Sequence, residues 1–547
     1  MKSDVSERAD GLFFRPMCTL YSRIMTRIGL LLLILCALRA GADMNPTAKV
    51  AASADVLEKT ILELQAAMDD GSLTSRQLVE IYLARIAAYD KQGPSLNAIA
   101  AINPEARRIA DALDAERRAT GARGPLHGIP VLVKDNYETI EMPTSAGSIA
   151  LATFHPKSDA FLVKKLRDAG AVILGKTNMH ELAAGITTVG SRFGQTRNPY
   201  DLDRNPGGSS GGTGAAVAAN FAAAGMGSDT CGSIRIPAAH NNLVGLRGTQ
   251  GLSSRSVIVP LSATQDIGGP LARTITDLAI LLDATVGADP ADPITMKRGG
   301  EHHGTFREAL RADALTGARL GVLRASFGSA PEDQEVTTLV NKTLEALRQA
   351  GATTIDVVIP GLDDLLRDSS LINSEFKFDL AEYLANHPDA PVTSLGDVID
   401  RGLYHAALEE RFRARNSVEK RGTDEERRAR IKQRAIREAA IATIDEHQLS
   451  ALIYPTVRRR PARIGDPQAG TNCYLSSHSG LPALAVPAAW TADGLPIGVD
   501  LVGTPWSDAK LLSLGYAMEQ TLKLRRAPFS TPALVGGKPP AQSRFTV

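Results

Sequence analysis

The chain has 547 residues, 44% of them hydrophobic, and a formal net charge of +1 at neutral pH. That supplies a sizeable apolar core and gives no electrostatic reason to expect a nucleic-acid partner. A length prior of about 150 residues per domain suggests three or four domains, yet no clear linker divides the sequence.

The first 45 residues differ from the rest. Arg23 and Arg27 flank a start-like Met25, an apolar run follows from Ile28 to Leu38, and Ala40-Gly41-Ala42 supplies small residues. A basic segment, an apolar segment and a small-residue cleavage site predict a leader over residues 1–42 and export, periplasmic or secreted, of a chain beginning near Asp43. The apolar run is short for a span of about 20 residues, so membrane contact is expected only during export, a retained anchor being the alternative. Of the four cysteines, Cys18 and Cys36 lie in this leader, which leaves Cys231 and Cys473. No Cys/His spacing resembles a zinc site, and no motif implies a cofactor.

Further along, Thr74-Ser75-Arg76-Gln77 reads as a capping box, and Leu78, Tyr82, Ile86 and Tyr89 recur at helical spacing. Pro104 to Ala119 reads as a second amphipathic helix. Short apolar runs at 131–133, 171–174, 320–323, 355–359 and 452–454 alternate with helical patterns. That alternation predicts an α/β sandwich with a mixed sheet. Gly170 to Thr177 fits the phosphate-loop pattern, but Ala-Val-Ile-Leu between its glycines favours a buried strand. His180-Glu181 lacks a second histidine four positions after the first, so it is no zinc-protease motif and His180 reads as structural. The Arg/Lys/Glu-dense stretch 401–438 reads as a solvated helix face.

Residues 205–237 organise the chain. A Gly/Ser cluster at 207–212 leads into a helix-compatible run from Ala215 to Ala224 and ends on Asp229-Thr230-Cys231-Gly232-Ser233-Ile234-Arg235. Gly/Ser-rich segments are commonly linkers, but this one runs straight into an Ala/Val helix between Pro206 and Pro237. Upstream, GPLHGIPVLVKDN (124–136) places Lys134 directly after the apolar Val131-Leu132-Val133. Such a lysine either snorkels to the surface or is desolvated with a lowered pKa and able to act as a base.

These words, in order with GKTNMHELA, NPGGSSGG, DTCGSIRIPAA and GLPIGVDLVG, resemble the amidase signature family over roughly residues 55–530. The resemblance implies an α/β/α sandwich around a central mixed sheet, one domain over 43–547, and a variable helical region at about 365–450. It implies Ser233 as nucleophile, Ser209 on a cis peptide as proton relay and Lys134 as base. It also implies an oxyanion hole from the backbone of Thr230, Cys231, Gly232 and Ser233, with Ser210, Asp229 and Arg235 bracing the loop or, for the last two, forming a plain surface ion pair. The family more often has Gly where this chain has Cys231. Its position inside the loop favours a free thiol over a disulfide with Cys473. Tyr137, Met142, Gln265, Asp266 and His478 are the expected pocket residues.

With an export leader, the resemblance points to bacterial peptide amidases, which remove ammonia from C-terminally amidated peptides. Aryl acylamides, aliphatic amides, esters and carbamates stay open as substrates, because one acyl-transfer machine serves them all. A component of a tRNA-linked amidotransferase, acting with a partner, shares the triad; the leader argues against it. A non-catalytic binding protein is argued against by the intact triad.

Overall fold

In the computed structural model, residues 56–297 and 304–541 are described. The predicted leader, with Met25, Cys18 and Cys36, lies outside them. Among the described residues, eleven strands form one mixed sheet. They are β1 (Ile99–Ile102), β2 (Pro130–Lys134), β3 (Val172–Thr177), β4 (Ala224–Asp229), β5 (Val244–Arg247), β6 (Ile267–Ala272), β7 (Arg319–Leu323), β8 (Thr353–Val357), β9 (Ala451–Pro455), β10 (Ala483–Trp490) and β11 (Pro496–Val502). Their order is β1-β3-β2-β4-β6-β5-β10-β11-β9-β7-β8. Strand β2 is parallel to both β3 and β4, whereas β4 and β6 are antiparallel.

Helices that matter below are α1 (Ser75–Tyr89), α2 (Ala106–Thr120), α3 (Gly211–Ala218), α4 (Arg235–His240), α5 (Ile372–Ala385), α6 (Glu409–Asn416), α7 (Asp424–Glu446) and α8 (Tyr474–Ser479). Helix α1 starts at the predicted capping box: Thr74 accepts from the Gln77 amide, and Gln77 reaches back to the Thr74 amide. Leu78, Tyr82, Ile86 and Tyr89 face the core. The phosphate-loop candidate is β3, buried along its whole length. Its Lys176 is fully buried, donating to Tyr137 O at 2.6 Å and Thr144 Oγ1 at 2.7 Å.

Two segments position the site. Strand β2 is buried throughout, as central strands flanked by parallel neighbours are. Burying Val131, Leu132 and Val133 contributes about 1.5–3 kcal/mol each. That offsets the cost of carrying Lys134 inside at the strand's end. The second segment differs from expectation. The helix expected over 215–224 begins earlier, at Gly211, and stops at Ala218. Asn220 takes a left-handed φ of 56°, and Ala224 already opens β4. The glycines start the helix because there is no room for a side chain: a Cβ on Gly212 would lie 2.1 Å from Asn178 O. The Gly/Ser cluster is therefore tightly packed backbone, the opposite of a linker.

Candidate active site

Strand β2 delivers Lys134 to the end of β4. Lys134 Nζ lies 2.7 Å from Ser209 Oγ, 2.8 Å from Ser228 Oγ and 3.3 Å from Ser228 O. It is fully buried and forms no ion pair among the described residues. Burial lowers its pKa from the usual lysine range to about 7, with Asp266 and Asp229 opposing weakly. Three partners match either protonation state: an ammonium donates to all three, and a neutral amine donates to two and accepts from a hydroxyl. Ser228 was not anticipated from sequence; the glycine-rich AGMGSD gave no strand signal. Asn136 Nδ2 also donates to Ser228 Oγ, at 3.0 Å.

Ser209 follows Gly208 through a cis peptide, and its carbonyl accepts from the His180 amide at 3.0 Å. The Ser210 amide donates to Ser233 O at 3.2 Å, joining the loop before α3 to the loop before α4. Ser210 Oγ also donates to Ser228 O at 3.1 Å. Thus the structure brings Lys134, Ser209, Ser210 and Ser233 into one cluster.

The Thr230–Ser233 turn is held from within. Asp229 accepts from the Gly232 amide at 2.7 Å, the Ile234 amide at 3.2 Å, Arg235 Nε at 3.2 Å and Arg247 Nη1 at 3.1 Å. Arg235 continues to Asp500 at 2.6 Å and donates to Cys473 O at 3.2 Å. The surface ion-pair alternative for Asp229 and Arg235 is corrected: all four charged groups are fully buried. Burial opposes the Asp229 charge, but the Arg235 and Arg247 guanidiniums outweigh it and hold its carboxyl well below the usual range. Arg247 and Asp500 were missed from sequence. Their signal was available: each is a lone charge in an apolar strand, VGLR and PIGVDLV.

Two expectations about this turn need correction. The Gly232 amide already serves Asp229, so it is not available to an oxyanion. Among the described residues, the amides of Thr230, Cys231 and Ser233 have no protein acceptor. Cys231 is not a free thiol; it forms a disulfide with Cys473. The loop preceding α8 brings Cys473 back against Gly232, which has φ +84° and would place a Cβ 2.9 Å from Cys473 Cβ.

Ser233 and Cys231 line a cavity of about 740 Å³, together with His180, segment 183–189, segment 464–474 and residues from the 370–415 region. None of the five expected pocket residues lines it. Tyr137 is buried and donates to Gly227 O at 2.5 Å. Met142 is packed in the core. Gln265 sits beneath the turn, donating to Thr230 O at 3.3 Å and accepting from the Leu371 amide at 2.7 Å. Asp266 accepts from Thr230 Oγ1 and, with Ser228 and Thr230, lines a separate cavity of about 290 Å³. His478 pairs with Ser369 Oγ at 2.7 Å and faces another cavity. His180, expected to be structural, stands in the wall of the Ser233 cavity.

Comparison with known proteins places this arrangement. The family model described as Amidase matches residues 77–512. A probable amidase of Arabidopsis thaliana is 34% identical over 497 residues, covering 88% of this chain and 93% of that protein. A glutamyl-tRNA(Gln) amidotransferase subunit from Halorhodospira halophila is 36% identical over 485 residues, covering 85% of this chain and 97% of that protein. The structure of the native peptide amidase from Stenotrophomonas maltophilia superposes with a TM-score of 0.80 at 39% identity, covering 86% of this chain and 98% of that one.

Proposed function

The chain belongs to the amidase family, and on that premise we propose that it is a serine amidohydrolase whose substrates are carboxamides, C-terminal peptide amides foremost. One observation carries this reading: a fully buried lysine, unpaired by any carboxylate among the described residues and lowered to about 7, sits 2.7 Å from the hydroxyl of Ser209. Neutral Lys134 accepts the Ser209 proton, Ser209 takes the Ser233 proton, and Ser233 Oγ attacks the amide carbon. The amides of Thr230, Cys231 and Ser233 receive the developing oxyanion. On collapse the proton returns along the same relay to the leaving nitrogen. Water then attacks the acyl-Ser233 ester by the same base, releasing acid and free serine.

The 39% identity to a peptide amidase supports the peptide-amide substrate. A second reading, as one component of an amidotransferase, draws on the 36% identity to the Halorhodospira halophila protein. The predicted leader favours the exported hydrolase, and so does the Cys231–Cys473 disulfide, since such bonds persist in oxidising compartments.

The test is incubation with a peptide amide, an acetanilide and a matched ester, with Ser233→Ala in parallel and products followed by mass. The expected result is ammonia release from the peptide amide, abolished by the substitution. Anilide or ester turnover alone moves the reading to an aryl acylamidase or esterase. No Ser233-dependent turnover overturns the hydrolase and points to the partner-dependent amidotransferase. Ser228→Ala removes one of the three partners of Lys134 Nζ. A charge-assisted hydrogen bond of about 1.5–3 kcal/mol predicts a loss of about 10- to 100-fold in kcat/KM, read from initial rates.

A further inference from the structure

We propose that the Ser233 cavity contains an anion subsite, formed by Arg415 and Arg411 of α6, that takes a carboxylate on the acyl portion of the amide substrate. This rests on the hydrolase reading above and names its substrate class: amides of acidic peptides. Both arginines line the cavity that contains Ser233. They stand one helical turn apart on α6, at i and i+4, and so share a face.

Arg415 is only 6% exposed. Its Nε donates to Asn373 Oδ1 at 3.1 Å, and its guanidinium lies 5.3 Å from the Phe376 ring centre. Its Nη1 is buried with no acceptor. Among the described residues, no carboxylate pairs with it. Arg411 donates to Ala184 O and likewise pairs with no carboxylate. Asp466, the acid in the same lining, is exposed and bonded to neither.

A buried guanidinium without a counter-ion is costly, and an anion that fills the gap recovers that cost. Burial, and then the neighbouring Arg411 charge, push Arg415 down to about 9, so the two cations act on the same space. His180 adds a neutral donor to this wall. Its Nδ1 accepts from the Thr187 amide at 3.3 Å, which puts its proton on Nε2, buried and unpartnered. An ammonia leaving group needs no such room; a cavity of about 740 Å³ suits the acyl half. A planar carboxylate is the ligand that a guanidinium fork matches.

The probes are N-acetylated tripeptide amides carrying Glu or Gln at each position in turn. Their binding to the full chain with Ser233→Ala is measured by calorimetry, which needs no turnover. At one position the Glu peptide should bind about 10-fold or more tightly than its Gln twin, and the ratio should fall as salt rises. Adding Arg415→Met or Arg411→Met should bring that ratio to within about 2-fold. Arg411 is exposed, so its variant carries the test if Arg415→Met does not fold. A ratio near one at every position, or a ratio indifferent to both substitutions, overturns the subsite. Turnover of the Gln peptides by the unmodified chain reports the hydrolase reading separately. Equal turnover of Glu and Gln peptides sinks the subsite alone, while Glu-selective binding without turnover sinks the hydrolase alone.

Discussion

Lys134→Met should lower kcat/KM by about three to four orders of magnitude while raising the thermal midpoint at neutral pH. The first half follows from position. Among the described residues, the one hydrogen-bond partner of Ser209 Oγ is Lys134 Nζ, 2.7 Å away. The second half follows from the cost of burial. An ordinary lysine titrates near 10.5, and this one titrates near 7. Below about 7 the folded chain must hold a buried ammonium; above about 10.5 the lysine is neutral in both states. Between those limits the unfolded chain binds a proton that the folded chain does not, so stability rises with pH across that window. At pH 7 the penalty is on the order of 4–5 kcal/mol. Methionine, of similar length, removes it and forfeits hydrogen bonds to Ser209 and Ser228, at about 1–3 kcal/mol for a hydroxyl left unpaired. Ser228 Oγ keeps Asn136. On the proposed relay the same titration sets the activity of the unmodified chain: kcat/KM should rise with pH through about 7 and then level, because only the neutral amine can accept the Ser209 proton. A profile flat through pH 7, or a lower melting temperature for the variant, would contradict this role.

What the sequence revealed and what it hid have physical causes. Strands β2, β3, β7 and β9 were legible because apolar runs are what buried strands need. Strand β8 is a half-exposed edge strand, found from the Ile355–Ile359 run that overlaps its end. Strands β4 and β6 were not, since AGMGSD and IGGPLA read as loops. Their glycines are there for neighbours: a Cβ on Gly269 would meet Leu246 O at 2.4 Å, and one on Gly225 would meet Thr213 Cγ2 at 2.6 Å. Ser228 and Asp229 end β4, paired with Gly268 and Ile267 of β6, so the lysine's second serine partner was hidden with those strands. The lysine–serine cluster itself was legible because its motifs are long and contiguous. The cavity was not. Its walls come from segments near 183–189, 370–415 and 464–474, brought together only by the fold. Motif neighbours of the triad, such as Tyr137 and Gln265, support the loop from behind instead. The disulfide was weighed and set aside because Cys231 stands in the loop; what the sequence did not show is that the loop before α8 returns Cys473, 242 residues on, against that turn.

Asp229→Ala should be the most damaging change outside the proposed reacting groups, lowering stability by about 3–5 kcal/mol and kcat by about 100-fold or more. The stability loss has a named source. Arg247 would lose its carboxylate partner in a fully buried site, where burial already lowers its pKa to about 10. Arg235 would keep Asp500 but lose Asp229. Removing one member of a buried charge network leaves the others uncompensated, which costs more than the network contributes in water. The activity loss has a separate source. Asp229 accepts from the Gly232 and Ile234 amides on either side of Ser233. Those bonds set the direction in which the Thr230, Cys231 and Ser233 amides point. Asp229→Asn keeps one amide acceptor but not the charge. It should therefore lose stability nearly as Asp229→Ala does, yet retain more kcat. Thermal melts with initial rates on the three variants of position 229, native included, separate the two effects. If Asp229→Ala melts and turns over like the native chain, the network does not hold the loop. If Asn and Ala lose kcat equally, the charge rather than the bonded geometry is what Ser233 requires.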